Sequence, residues 1–203
     1  RSNPGAVARL GNLTLNTNKN MRKVKLSNLT IKKIKEKYFK NIIPEFYQLK
    51  GVIENSPWHN KESVFDHTLS VLYNLEKIIR NSKKEVKQSL NKIIDKNPRK
   101  SLLYVAALLH DIGKKETITD LGGGARGCPG HEKKGAQKIK KILNRFNLSP
   151  KESKIITDIA ENHGVTHDIV GLRCKAFQKG AKKEHSLTHA IVGLENKNFQ
   201  KEY

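Results

Sequence analysis

No apolar run in this 203-residue chain approaches the roughly 20 residues that a membrane-spanning helix requires. Its N-terminus also lacks a basic stretch followed by a short apolar one, so no secretory signal is read there and a cytoplasmic protein is expected. Cysteine is scarce. Cys128 and Cys174 stand far apart and form no CxxC, which indicates neither a zinc knuckle nor a disulfide framework. Arginine is sparse too, because 32 of the 40 basic residues are Lys. The net charge of +21 therefore permits nucleotide or RNA partners and weak non-specific RNA binding. It does not indicate specific readout, for which Arg is the usual residue. With 36% hydrophobic residues the chain suits a single polar domain with one core.

Residues 1–20 have no periodic apolar face and read as a leader or disordered arm. From Leu26 the pattern is helical, with Ile31, Ile34, Tyr38, Ile42 and Ile43 three to four residues apart, and 21–44 is read as an N-terminal helix. Further helices are expected over 63–80, over the Lys-rich 83–95 and over 101–109, the last apolar on nearly every side and so buried. Residues 112–130 break the period, with Thr117–Leu121 able to form a strand and Gly122–Gly124 marking a loop. Helix resumes from His131 to Phe146. Ser149-Pro150-Lys151-Glu152 then has the form of a capping box, opening a helix that stops near His163-Gly164. The fold class read from this is all-α, a helical bundle with room for one small β-hairpin near 116–130.

The chemistry centres on His110-Asp111, at the end of the most buried helix. A carboxylate there is costly unless a cation or several donors satisfy it. Imidazole and carboxylate together suit a divalent metal such as Zn, Fe or Mn. His67 lies on or beside the buried face of its helix, while His131 and His163 stand at helix boundaries. Any one of these histidines alone reads more simply as a hydrogen-bonded core residue. Together with His-Asp they read as a metal site.

In order, His67, His110-Asp111 with Gly113-Lys114, His131 and His163 resemble the H…HD…H…H pattern of HD-domain phosphohydrolases. The likeness spans about residues 45–168, and 45–170 is read as the HD domain. It is nearest to HD domains found alone or attached to bacterial CCA-adding tRNA nucleotidyltransferases, through Pro57-Trp58-His59-Asn60, Asp66-His67-Thr68 and Pro129-Gly130-His131-Glu132. The resemblance implies a helical HD fold holding one or two divalent ions (Mn, Fe, Ni, Co, Zn or Mg). By it His67, His110 and Asp111 hold the first ion, Asp111 bridges, and His131 and His163 hold the second. Asp111 and Lys114 are the implied catalytic residues, with Lys114 facing the substrate phosphate. His59 and Arg126 are further candidate substrate contacts.

One part of the pattern is missing. The resemblance leads one to expect a closing Asp on a later helix, and no Asp follows Asp168, itself only five residues after His163. Asp168 is the substitute ligand, and 171–203 reads as an irregular tail, truncated or altered. The function read from all this is metal-dependent hydrolysis of a phosphomonoester or cyclic phosphodiester of a nucleotide or RNA end. The alternatives are a non-catalytic RNA-binding module with a decayed metal site, and a hydrolase of guanosine polyphosphates.

Overall fold

The computed structural model describes residues 23–56 and 59–164. The expectations for residues 1–20 and 171–203, for Trp58 and Asp168, and for the His59 side chain lie outside what it describes.

The stretch read as one N-terminal helix is instead a chain of short turns. A 3-10 turn at Leu26–Asn28 leads to α1 (Ile31–Lys35), whose first turn is capped by the Thr30 hydroxyl accepting from the Lys33 amide. Lys37 adopts a left-handed φ of 62° and ends it. Ile43 then precedes Pro44, whose ring disfavours helical backbone at the residue before it, so α2 (Pro44–Tyr47) begins afresh. The apolar residues behind the helical pattern are used all the same. Leu26, Leu29, Ile34, Phe39, Ile43 and Phe46 enter the single core. Arg145 clamps the segment from the other side, donating to both Glu45 carboxylate oxygens at 2.7 and 2.8 Å and to the Ile42 carbonyl.

β1 (Ile53–Ser56) and β2 (His59–Ser63) follow, then α3 (Val64–Asn81), capped by Ser63, whose hydroxyl accepts from the Asp66 amide. α4 (Lys84–Asn91) is shorter than expected. The chain folds back after it, with the Arg99 amide donating to the Lys92 carbonyl. α5 (Arg99–Leu109) is the central helix, with Leu102, Leu103, Val105, Ala106, Leu108 and Leu109 all buried. Truncating any one of these leucines to Ala should cost about 2–5 kcal/mol, the lost transfer energy plus an unfilled cavity. α6 (Lys114–Thr117), β3 (Thr119–Gly122), β4 (Ala125–Gly127), α7 (His131–Leu143) and α8 (Pro150–Asn162) complete the described chain. The capping box at Ser149 and Glu152 forms as the sequence indicates. None of the described helices is long and apolar enough to cross a membrane.

The protein is thus mainly helical, but its β-structure is larger than one hairpin. β3 and β4 form the expected hairpin, turning through Gly123 and Gly124 at positive φ. β1 and β2 add to it, giving an antiparallel sheet in the order β2-β1-β4-β3. These two strands read Ile-Glu-Asn-Ser and His-Asn-Lys-Glu-Ser, with none of the apolar alternation that marks a strand over a hydrophobic core. Among the described side chains of β1 the buried one is Glu54, so the hydrophobic pattern carried no signal here.

Candidate metal centre

Three helix ends and one first turn converge on a single carboxylate. His67 sits in the first turn of α3. His110 closes α5, and Asp111 lies in the turn after it. His131 is the first residue of α7, and His163 closes α8. Two glycines bring α7 into place. A Cβ on Gly113 would stand 2.2 Å from the His131 carbonyl oxygen and 2.5 Å from the Gly135 nitrogen, so the turn after Asp111 approaches α7 backbone to backbone. Gly130 supplies the left-handed residue, φ 70°, that turns the chain into α7.

Asp111 is 1% exposed, and its two oxygens face different histidine pairs. Oδ2 lies 3.1 Å from His110 Nε2 and 3.8 Å from His67 Nε2. Oδ1 lies 3.2 Å from His131 Nε2 and 3.6 Å from His163 Nε2. Two groups with metal-ligand spacing therefore share this carboxylate: His67, His110 and Asp111, and Asp111, His131 and His163. Neither Asp111 oxygen has an aligned hydrogen bond, despite the nitrogens crowded around it. A buried anion surrounded by nitrogen atoms but without a well-aligned donor fits one or two divalent ions, and the donor set of imidazole with carboxylate suits them.

The other ring nitrogens are already spoken for. Nδ1 of His110, His131 and His163 each meets the carbonyl three residues earlier, at Ala107, Cys128 and Ala160, over 2.8, 2.7 and 2.5 Å. Such a bond makes Nδ1 the donor, leaves the Nε2 lone pair facing Asp111, and fixes the ring's orientation. His67 differs: its Nδ1 faces the Glu62 carboxylate at 3.3 Å. Burial pulls His110 down to about 4, so its imidazole is neutral near pH 7, the form a metal needs. Burial opposes ionisation of Asp111, but its close contacts with His110 and the Lys114 ammonium prevail and hold its carboxyl well below the usual range. His131 is raised, burial being outweighed by its contact with Asp111. Cys128 lies nearby, yet burial pushes its thiol up to about 12, which removes it as a thiolate ligand in this state.

Of the residues singled out in the sequence, His67, His110, Asp111, His131 and His163 come together. Lys114 comes with them, held by a partner that the sequence did not indicate. It is 3% exposed, with Nζ 2.7 Å from Glu54 Oε2 and 3.1 Å from Asp111 Oδ2. The reason is the unforeseen strand β1, which places a carboxylate over it. Arg126 is exposed on β4 in register with Asn55 and Asp120, and belongs to neither His/Asp group. Sequence reasoning missed Glu54 and Glu62, which face each other across β1 and β2. Recognising those strands as a pair was the only signal that could have found them.

The HD domain family model matches residues 64–195, well over half of the chain. The chain belongs to the HD domain family. That makes it, at the level of the family, a metal-dependent phosphohydrolase domain. Among curated proteins the chain is similar to bifunctional uridylyltransferase/uridylyl-removing enzymes. It is 29% identical to that of Pseudomonas aeruginosa over 121 residues, 60% of this chain and 12% of the relative. The Azotobacter vinelandii enzyme is 30% identical over the same length and shares. That of Cereibacter sphaeroides is 28% identical over 132 residues, 64% of this chain and 13% of the relative. The chain thus spans about an eighth of these relatives' length. The family match runs through residue 195 and so takes in Asp168, outside the described residues.

Proposed function

We propose that this domain hydrolyses a phosphoester of a nucleotide, or of a nucleotidyl group on a larger molecule, at the centre built on Asp111. The observation that carries this reading is the two-sided carboxylate, each oxygen of which faces its own pair of histidine Nε2 atoms. His67, His110 and Asp111 would hold one divalent ion, and Asp111, His131 and His163 a second. When bound, such ions supply activation of water near neutral pH and neutralise charge on phosphoryl oxygens. The chain's own part is preorganisation. Backbone carbonyls and Glu62 fix the imidazole tautomers, Gly113 and Gly135 set the distance between α7 and Asp111, and the Lys114 ammonium helps keep the carboxylate ionised against the cost of burial.

The uridylyl-removing relatives support a nucleotidyl phosphodiester as the bond cleaved, since a uridylyl group is a uridine monophosphate residue. The likeness of Asp66-His67-Thr68 and Pro129-Gly130-His131-Glu132 to HD domains of CCA-adding enzymes supports an RNA end as the alternative. Asp168, His59 and Arg126 stay in this proposal as outer contributors to ligation or substrate contact. The test is hydrolysis by the Mn2+-loaded protein of bis-(p-nitrophenyl) phosphate, a nucleoside 2′,3′-cyclic phosphate and a uridylylated peptide. Activity on at least one, lost with a chelator and in Asp111→Asn, is expected. If the loaded protein cleaves none of them, the reading fails. Salt-sensitive RNA binding that is unchanged in Asp111→Asn would then favour the non-catalytic module, whose motive is the +21 charge.

A further inference from the structure

β1 breaks the rule that apolar side chains point in. Val52 before it is buried, but Ile53 is 36% exposed while its neighbour Glu54 is 7% exposed. Strand geometry sends successive side chains to opposite faces, so the chain has turned a carboxylate inward and an isoleucine out. The irregularity continues in the pairing. The register of β1 with β2 shifts between Glu54 and Asn55, where β2 carries an extra residue, Lys61, at a positive φ of 50°. Glu54 also stands opposite Glu62, a like-charge pairing that is unfavourable unless each carboxylate is engaged elsewhere. Both are: Glu62 faces His67 Nδ1, and Glu54 accepts from Lys114 Nζ.

The charges around Asp111 explain what Glu54 is for. Lys114 Nζ lies 3.1 Å from Asp111 Oδ2, the oxygen that also faces His67 and His110. Left to itself, a buried ammonium there would cancel the negative charge of the one carboxylate in a centre whose other donors are imidazoles. It would compete directly with a divalent ion. Glu54 lies nearer to the same ammonium, at 2.7 Å. We propose that Glu54 is the dedicated counter-ion of Lys114, a positioning residue that draws the ammonium toward β1 and leaves the charge of Asp111 available to divalent ions. This rests on the metal-centre reading above, and it extends that centre from the helices into the sheet.

The test is Mn2+ affinity of the full chain, read by calorimetry or by the free-ion EPR signal, without reference to turnover. Glu54→Gln keeps the shape and removes the charge, so Lys114 swings wholly onto Asp111. Its Mn2+ affinity should fall by about tenfold or more, the usual cost of losing an outer partner of a metal ligand. Adding Lys114→Met removes the competitor, and the double variant should recover to within about threefold of wild type, a non-additivity that contacting residues show and independent ones do not. A role in holding the strand alone predicts no such rescue. Lys114→Met alone should bind Mn2+ at least as tightly as wild type, and this variant decides the matter if Glu54→Gln does not fold. Unchanged affinity in Glu54→Gln, a double variant no better than the single one, or weakened binding in Lys114→Met would each overturn the proposal. A wild-type chain that binds no Mn2+ overturns it together with the metal-centre reading. The expected pattern in a protein that hydrolyses no phosphoester would uphold it and sink only the activity.

Discussion

Helices α5 and α8 lie side by side with a buried polar cluster at each end, and the two clusters are built on opposite principles. At the N-terminal end, Glu152 is fully buried and every lone pair it needs is supplied. It accepts from the Ser149, Lys96 and Asn97 amides and from Asn97 Nδ2 at 2.6 to 3.0 Å, while the Ser149 hydroxyl bonds Asp95. At the C-terminal end, Asp111 is as deeply buried but surrounded by imidazole nitrogens and the Lys114 ammonium, with no aligned hydrogen bond to either oxygen. One carboxylate is finished by the protein. The other is arranged for something the protein does not itself contain. A buried acid alone therefore says little about function, whereas the donors it lacks say a great deal.

Exchanging charge for amide at the two ends should separate these roles most sharply. Asp111→Asn should lower Mn2+ affinity by more than about a hundredfold, since it touches both candidate ion groups at once. Its chemical-denaturation midpoint without metal should move far less than that of the next variant. Glu152→Gln should instead cost about 2–4 kcal/mol of stability, because an amide cannot accept from all four donors and leaves buried N–H groups unpaired. Its folded fraction should bind Mn2+ as wild type does. Similar metal losses in both variants would dissolve the distinction.

A smaller effect tests how the C-terminal cluster is assembled. Gly113→Ala places a methyl group against the His131 carbonyl and the Gly135 backbone, neither of which can rotate aside. A loss of about 1–3 kcal/mol is expected from the forced separation, with Mn2+ affinity falling alongside because His131 moves with α7. Stability lost with full metal affinity would show that the approach at Gly113 matters for packing only.

Much of this was legible in the sequence, for identifiable reasons. The helices from 64 to 162 follow an apolar period of three to four residues, and the ends that carry His110, His131 and His163 are marked by the end of a buried run, by Gly130 and by Gly164. The five ligand candidates could be named because a helix end bearing His or Asp against a core is chemically odd. The N-terminal region misled because Lys37 and Pro44 interrupt a periodic pattern without altering which residues are apolar. β1 and β2 were not legible because their buried side is polar. Glu54 hides in a strand whose alternation runs opposite to the usual one, and the inward turn of Lys114 follows from it.

Acid should distinguish the buried cluster at Glu152 from a half-exposed contact, and this is the smallest of the expected effects. The folded-state pKa of Glu152 is lowered: burial opposes ionisation, but the hydrogen bonds from Ser149, Lys96 and Asn97 prevail. Glu45 is lowered as well, chiefly by its hydrogen bond from Arg145. A depressed carboxylate stabilises the fold fully above its unfolded-state pKa, 4.5 for both groups, and that contribution is lost as pH falls through the lower folded value. Stability measured by urea unfolding should therefore hold from pH 7 to about pH 5 as far as these groups are concerned, then decline toward pH 3. Glu152→Gln should flatten that decline. Glu45→Gln should flatten it less, by about 1 kcal/mol at most, because water already screens a pair whose Arg145 side chain is 34% exposed. If Glu45→Gln flattened the decline more than Glu152→Gln, the number of converging donors would be the wrong measure of what a carboxylate contributes here, and charge pairing the better one.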